Sequence, residues 1–225
     1  MAPTQTRPHL AVIDPATHTP EVDCFNAMAK RSVLPLTYHL PALHGLQSLH
    51  REGPNLAGVI ILGSGASVHD DAPWIAALGR WLTPLFAQDL PILGLCFGHQ
   101  LLVHLFGGEV GLLWGGEKRR GTRVVRVDAP GLRSTATGPL VISHREGVLR
   151  PPDGWRVVAT SDDVAYDGLA HPERPIWGFQ PHPEATAGFV ANNQITVEDP
   201  KTAFAFGHRI VDGFLELAAE KCGCR

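Results

Sequence analysis

The sequence predicts an α/β protein of three layers, with a mostly parallel central sheet, helices on both faces and a small antiparallel extension. Two observations indicate this fold. Short apolar runs alternate with segments of helical periodicity along the first half of the chain. Residues 56–62 are apolar throughout, which is typical of a central parallel strand covered on both faces. Because ligands bind such sheets at the carboxyl ends of the strands, we expect the functional residues there.

Composition limits the class of protein. A chain of 225 residues that is 44% hydrophobic is long enough for one substantial core. We predict a single domain over residues 1–225, with a core at about 9–190 and a C-terminal packing helix at about 199–220. The net charge of -3 and the absence of a basic run argue against nucleic-acid and membrane partners. Without a targeting pattern or an apolar span in the sequence, we expect a cytoplasmic location.

The elements follow from the spacing of apolar residues. Predicted strands of the main sheet are 9–13, 33–38, 56–62, 91–95 and 176–180. Predicted strands of the extension are 120–127, 140–143, 155–159 and 164–169, broken by Pro130, Pro139, Pro151 and Pro152. Helices are predicted at 21–30, 41–50 and 73–88, after the cysteine at 96, and from Pro200 onward.

A cysteine follows the predicted strand 91–95 at a sharp turn into a helix. Cys96 stands between Gly94 and Gly98, and apolar residues then recur at helical spacing. Glycines on either side leave room for a strained central residue, which is the pattern of a nucleophile elbow with Cys in place of Ser. A buried structural cysteine is the alternative interpretation.

A His-Pro-Glu segment follows the predicted strand 176–180. A cysteine nucleophile requires an imidazole as base and a third group that orients the imidazole. His182 and Glu184, two positions apart, can supply these groups. Taken alone, the segment is also typical of a solvated turn.

The two motifs GLCFGHQ and QPHPE together resemble the class I, or triad, glutamine amidotransferase domain, which has a flavodoxin-like fold. The resemblance extends from about residue 10 to 189 and is to free-standing members related to the amidotransferase half of GMP synthase. It implies that Cys96 is the nucleophile, His182 the general base and acid, and Glu184 the orienting carboxylate.

The loop after the predicted strand 56–62 is expected to bind the oxyanion. The resemblance implies a hole formed by backbone amides of this loop, at Gly63, Ser64 or Gly65, and of Phe97. The family usually has GGP here, whereas this sequence has Gly-Ser-Gly. If the second position requires a positive φ, Ser64 would be strained.

The resemblance also implies the residues that bind the substrate. Gln100 is expected to face the substrate glutamine, and the SHREGV segment resembles the family's SHGD-type segment, which implies Ser143, His144 and Glu146. Arg145 replaces the usual Gly, and His144 is expected to be structural rather than catalytic. Glu117 lies in the region of a family Glu. The basic cluster, defined as Lys118, Arg119, Arg120 and Arg123, is interpreted as a solvated hairpin face, with contact to a partner protein or an anionic co-substrate as the alternative.

The function predicted from this resemblance is hydrolysis of the side-chain amide of L-glutamine through a cysteine thioester. Ammonia would pass to a separate ATP-dependent synthetase, because the chain has no P-loop pattern. Two alternatives stay open: a stand-alone hydrolase of γ-glutamyl conjugates, and a catalytically silent regulator that binds an amino acid. We predict no cofactor, and no metal because the histidines lack metal-ligand spacing. The sequence does not predict an oligomeric state.

Overall fold

The computed structural model describes residues 7–224, which form a main sheet with helices on both faces. The strands are β1 (His9–Ile13), β2 (Leu36–His39), β3 (Leu56–Ile61), β4 (Ile92–Leu95), β5 (Glu109–Leu112), β6 (Arg119–Ala129), β7 (Ser134–His144), β8 (Glu146–Arg150), β9 (Arg156–Thr160), β10 (Gly168–Ala170) and β11 (Ile176–Phe179). The α-helices are α1 (Val22–Arg31), α2 (Pro41–His44), α3 (Pro73–Leu82), α4 (Phe97–Leu105), α5 (Ala187–Asn192) and α6 (Pro200–Lys221).

The main sheet has the strand order β2-β1-β3-β4-β11-β10-β9-β6-β7. The first five strands of this order are parallel, and each pairing from β11 to β7 is antiparallel. β5 and β8 form a separate antiparallel pair. The predicted α/β fold is confirmed, with an extension that supplies four of the nine strands.

The core lies on both faces of the sheet. One apolar cluster joins Met28 of α1 and Phe214 of α6 to the sheet, and the other joins Leu78 of α3 and Leu101 of α4 to the opposite face. The strands between them are buried on both sides, as the apolar run in β3 predicts. Within residues 7–224, no helix has the length and apolar character that a membrane span requires.

Three local predictions were wrong. β7 continues through Pro139, which is accommodated because β7 is the last strand of the sheet and pairs only with β6. The predicted helix 41–50 ends at His44, where Gly45 takes a positive φ of 71°. The second strand begins at Leu36 rather than at residue 33, and Val33 is exposed.

The turn from β4 into α4 depends on two glycines that leave no room for a side chain. A Cβ on Gly98 would lie 2.3 Å from the carbonyl oxygen of Ile61, and a Cβ on Gly94 would lie 2.5 Å from that of Gly98. Helix α4 therefore begins in direct backbone contact with β3 and β4. This contact fixes the position of the residue between the two glycines.

Helix α6 supports the loop that follows β11. Asp199 caps its first turn by accepting a hydrogen bond from the backbone N–H of Thr202 at 3.1 Å. Gly207 then packs on the backbone of Pro183, since a Cβ at this glycine would lie 2.6 Å from the Pro183 carbonyl oxygen. The predicted packing helix thus contacts the His-Pro-Glu segment directly.

Substitution of Gly98 by Ala tests the close contact at the elbow. We expect Gly98→Ala to lower the free energy of unfolding by about 1–3 kcal/mol, because the new methyl group overlaps backbone atoms. Gly53→Ala is the matched control, since a Cβ there meets no atom within 4 Å. Urea denaturation of both variants measures the difference. Equal stabilities would contradict the packing described here.

Candidate active site

Cys96 has the backbone conformation of a nucleophile elbow. Its φ of 51° and ψ of -101° lie in a region that side chains other than glycine rarely adopt, at a cost of about 1–3 kcal/mol. The N–H of Cys96 donates to the carbonyl oxygen of Phe179 in β11 at 2.8 Å. The strained residue is therefore held both by the glycine contacts and by the neighbouring strand.

His182 and Glu184 lie beside Cys96 in the loop after β11. Since a carboxylate only accepts, His182 Nδ1 donates to Glu184 Oε1, with a distance of 2.9 Å between the two atoms. The backbone N–H of His182 donates to the carbonyl oxygen of Val141 in β7 at 2.8 Å, which ties the loop to the sheet extension. Both side chains are buried. This arrangement leaves His182 Nε2 without a hydrogen bond.

The imidazole of His182 has an unusual affinity for protons. Burial lowers its pKa, but the charges of Cys96 and Glu184 outweigh burial and raise the pKa above the usual value. The base therefore favours the imidazolium form when Cys96 is a thiolate. Such an ion pair is the reactive form of a cysteine nucleophile.

The loop after β3 contacts both Cys96 and His182. A Cβ on Gly63 would lie 2.9 Å from His182 Cε1 and 3.6 Å from Cys96 Cβ, so only glycine fits. Ser64 does not have a positive φ, and the expected strain is therefore absent. Instead its hydroxyl donates to the carbonyl oxygen of Pro15 at 2.7 Å and accepts from the N–H of Ala66 at 3.1 Å. Phe97 opens α4, where backbone N–H groups have no partner within the helix.

A cavity of about 290 Å³ lies beside Cys96 and is here called the acyl cavity. It brings together the four residues expected to bind the substrate: Gln100, Ser143, His144 and Glu146. Ser67, which was not among the predicted site residues, lines it too and donates to Glu146 Oε2 at 2.8 Å. The carboxylate of Glu146 is therefore oriented toward a polar wall, as a site for an amino acid requires.

Gln180 connects this cavity to the nucleophile, although the sequence analysis gave it no role. It is fully buried, and its Nε2 donates to Cys96 Sγ at 3.7 Å. Its Oε1 accepts from Gln100 Nε2 at 3.1 Å, and Gln100 Nε2 also donates to the carbonyl oxygen of Glu146 at 3.0 Å. The only signal was its place at the end of a strand within the QPHPE motif.

His144 belongs to a buried network that supports the acyl cavity. Its Nδ1 donates to the carbonyl oxygen of Glu146 at 2.9 Å, and its Nε2 accepts from Arg123 at 3.3 Å. Arg123 also forms an ion pair with Asp167. Burial, together with the nearby charge of Arg123, lowers the pKa of His144 to about 3, against the hydrogen bond to Glu146. His144 thus stays neutral, and its contacts are structural.

The basic cluster does not form one solvated face. Arg123 is buried against Asp167, which corrects the prediction for that residue. Arg119 packs over the ring of Trp114, at 4.2 Å from the ring centroid. Lys118 lines the acyl cavity, as does the exposed Arg145. Glu117 is exposed and lines neither that cavity nor the second one beside His182.

A strained cysteine, a buried histidine and a carboxylate at the edge of a mostly parallel sheet define a protein of the triad hydrolase class. The family model described as glutamine amidotransferase class-I matches residues 28–195, and the chain belongs to this family. The match spans both motifs that carry the resemblance found in the sequence.

Curated relatives are named GMP synthases. The chain is 33% identical over 184 residues to the glutamine-hydrolysing GMP synthase of Thermus thermophilus, covering 81% of this chain and 32% of that protein. It is 39% identical over 130 residues to a subunit of the glutamine-hydrolysing GMP synthase of Methanopyrus kandleri, covering 57% of this chain and 66% of that subunit. The chain therefore spans about a third of the length of the first relative.

Solved structures share the fold at low identity. A glutamine amidotransferase of Methylobacillus flagellatus superimposes with a TM-score of 0.75 at 18% identity, covering 96% of this chain and 95% of that chain. A glutamine amidotransferase of Thermotoga maritima gives 0.71 at 17% identity, covering 96% of this chain and 99% of that chain. These likenesses support the fold assignment.

The lowered pKa of His144 predicts a contribution to acid sensitivity. An unfolded histidine binds a proton below about pH 6.5, whereas folded His144 does so only near pH 3, so protons favour the unfolded state between these values. Between pH 7 and 5, this residue should lower the free energy of unfolding by about 2 kcal/mol.

Urea denaturation of the protein and of His144→Gln at both pH values measures this contribution. The variant should lose about 2 kcal/mol less on acidification. Other groups that titrate are common to both proteins and cancel in the comparison. Identical pH dependence would show that His144 is protonated in the folded state.

Proposed function

We propose that the chain is a glutaminase that hydrolyses the side-chain amide of L-glutamine, with Cys96, His182 and Glu184 as its triad. The observation that carries this proposal is the buried His182, held by Glu184 beside the strained Cys96. We further propose that residues 1–225 act as one domain.

In the first half of the reaction, the Cys96 thiolate attacks the amide carbon of glutamine. The oxygen becomes an oxyanion, for which the amides of Phe97 and of the Gly63–Gly65 loop are the proposed donors; one such donor contributes about 2.7–4 kcal/mol. His182 Nε2, which has no competing hydrogen bond, gives its proton to the departing nitrogen. The C–N bond breaks, and ammonia and a γ-glutamyl thioester result.

In the second half, water hydrolyses the thioester. Neutral His182 removes a proton from the water as it attacks, and glutamate leaves with the C–S bond broken. Glu184 stabilises the imidazolium that forms in both halves. Glu146 and Gln100 are proposed to bind the amino-acid end of glutamine in the acyl cavity, since both line it and are held by hydrogen bonds.

The names of the relatives support a role in ammonia supply. The Thermus thermophilus protein is a glutamine-hydrolysing GMP synthase, and this chain matches about a third of it. The Methanopyrus kandleri relative is named as a subunit, so the amidotransferase part exists there as a separate chain. We propose that ammonia from this chain passes to a separate ATP-dependent synthetase.

Hydrolysis of a γ-glutamyl conjugate is the second candidate function. A second cavity, of about 220 Å³, is lined by His182 and Cys96 but not by Gln100 or Glu146. A leaving group larger than ammonia would find space there. This candidate uses the same triad and differs only in the amine that leaves.

Replacement of the nucleophile tests both candidates. We expect Cys96→Ala to lower glutamine hydrolysis by at least about 10³-fold, because no thioester can form. Release of ammonia measures turnover, and mass spectrometry after treatment with an electrophilic glutamine analogue locates the labelled cysteine.

Cys24→Ala is the control, because Cys24 is also buried and free but lines neither cavity. It should retain both turnover and labelling. Undiminished turnover in Cys96→Ala would refute the triad assignment. Binding of glutamine without any labelling of Cys96 would favour the silent regulator.

Glu146 should affect binding more than chemistry. We expect Glu146→Gln to raise KM for glutamine about tenfold with kcat changed less than about threefold, because the variant loses a charge-assisted hydrogen bond to the substrate. Steady-state kinetics measures both constants. Glu117→Gln removes the same charge outside the cavities and should leave KM unchanged. A loss confined to kcat would place Glu146 in the chemical step instead.

A further inference from the structure

The cavity on the far side of the triad from Gln100 and Glu146 is here called the amine cavity. It shares Cys96, Ser64, Gly65, Lys118 and Ser143 with the acyl cavity, so the two meet at the nucleophile. Of the two cavities, only this one is lined by His182, the group that gives a proton to the departing nitrogen. The leaving group of the proposed reaction therefore enters the amine cavity.

The amine cavity is larger than ammonia requires. Its volume is about 220 Å³, whereas a water molecule, which is similar in size to ammonia, takes about 30 Å³ of liquid. Its wall includes polar residues that the glutamine reaction leaves unused, among them Thr17, Glu21 and Asn193. This space and polarity fit an amine with several carbon atoms and a second polar group.

Glu21 is the acidic residue in this wall. Its backbone N–H donates to Asp14 Oδ2 at 2.7 Å, which fixes the residue at the start of α1. Its Oε1 accepts from Asn193 Nδ2 at 2.8 Å, while its Oε2 is buried and accepts no hydrogen bond. A buried carboxylate oxygen without a donor is unfavourable, and a cationic donor would satisfy it.

The charges around Glu21 favour a cation as well. Burial raises the pKa of Glu21 to about 7, Asp14 and Glu184 raise it further, and Asn193 and His182 oppose them. Two other carboxylates thus add negative potential at this position. Lys118 also lines the cavity, but it interacts with Cys96 and so lies toward the nucleophile.

We propose that the amine cavity is a subsite for the amine portion of a γ-glutamyl amide, in which Glu21 binds a second, protonated amino group. The substrate class is a γ-glutamyl amide of a diamine. This inference rests on the proposed function, since it uses the same attack by Cys96. Water and the amide are consumed, the C–N bond breaks, the proton from His182 passes to the leaving nitrogen, and glutamate and the diamine are released.

Binding to the Cys96→Ala protein tests the subsite without turnover. The probes are the γ-glutamyl amides of 1,4-diaminobutane and of butylamine, which differ by one terminal amino group. Isothermal titration is carried out at about pH 8, where Glu21 is ionised and an aliphatic amine is protonated. We expect the diamine amide to bind about tenfold more tightly, the effect of one charge-assisted hydrogen bond.

Two further variants identify the group responsible. In Cys96→Ala with Glu21→Gln, the ratio of the two dissociation constants should fall below about twofold, whereas Asp23→Asn, an exposed acid two positions away, should preserve it. A ratio near one in the Cys96→Ala protein, or no binding of either amide, overturns the inference. An unchanged ratio with Glu21→Gln overturns the role of Glu21.

Glutamine hydrolysis by the unaltered protein is measured beside these titrations. Absence of turnover with a tenfold binding ratio would reject the proposed function and keep the subsite. Turnover with a ratio near one would reject the subsite alone.

Discussion

The candidate site depends on backbone contacts that only glycine permits. Gly98 brings α4 against the carbonyl oxygen of Ile61, and Gly94 brings β4 against α4, so the single residue free to carry a side chain at the turn is Cys96. Its positive φ is the consequence of this packing rather than of any local preference of cysteine. Gly63 applies the same constraint on the other side, where a methyl group would displace His182.

The elements that hold the triad come from distant parts of the chain. β4 supplies Cys96, the loop after β11 supplies His182 and Glu184, and β7 binds the backbone of His182. The antiparallel extension is therefore more than an addition to the fold, because its edge strand fixes the base. The network from His144 through Arg123 to Asp167 joins the same extension to the wall of the acyl cavity.

Residues with a strong local signal could be predicted from the sequence. The elbow and the His-Pro-Glu segment were evident because their chemistry needs particular residues at short spacing. Arg123 was misassigned because its partner, Asp167, is 44 positions away and the register of β6 cannot be read from charge alone. Gln180 and Glu21 were missed for a related reason, since a polar side chain acquires a role only when folding brings it beside a buried partner.

Helix α6 gives the protein an unexpected dependence on its C-terminal region. Gly207 touches the backbone of Pro183, the residue between the base and its orienting carboxylate. The triad is thus supported from behind by a helix that contributes no reacting group. Small residues at this crossing determine how far the imidazole extends toward the sulfur, so α6 acts as a mechanical stop for the base.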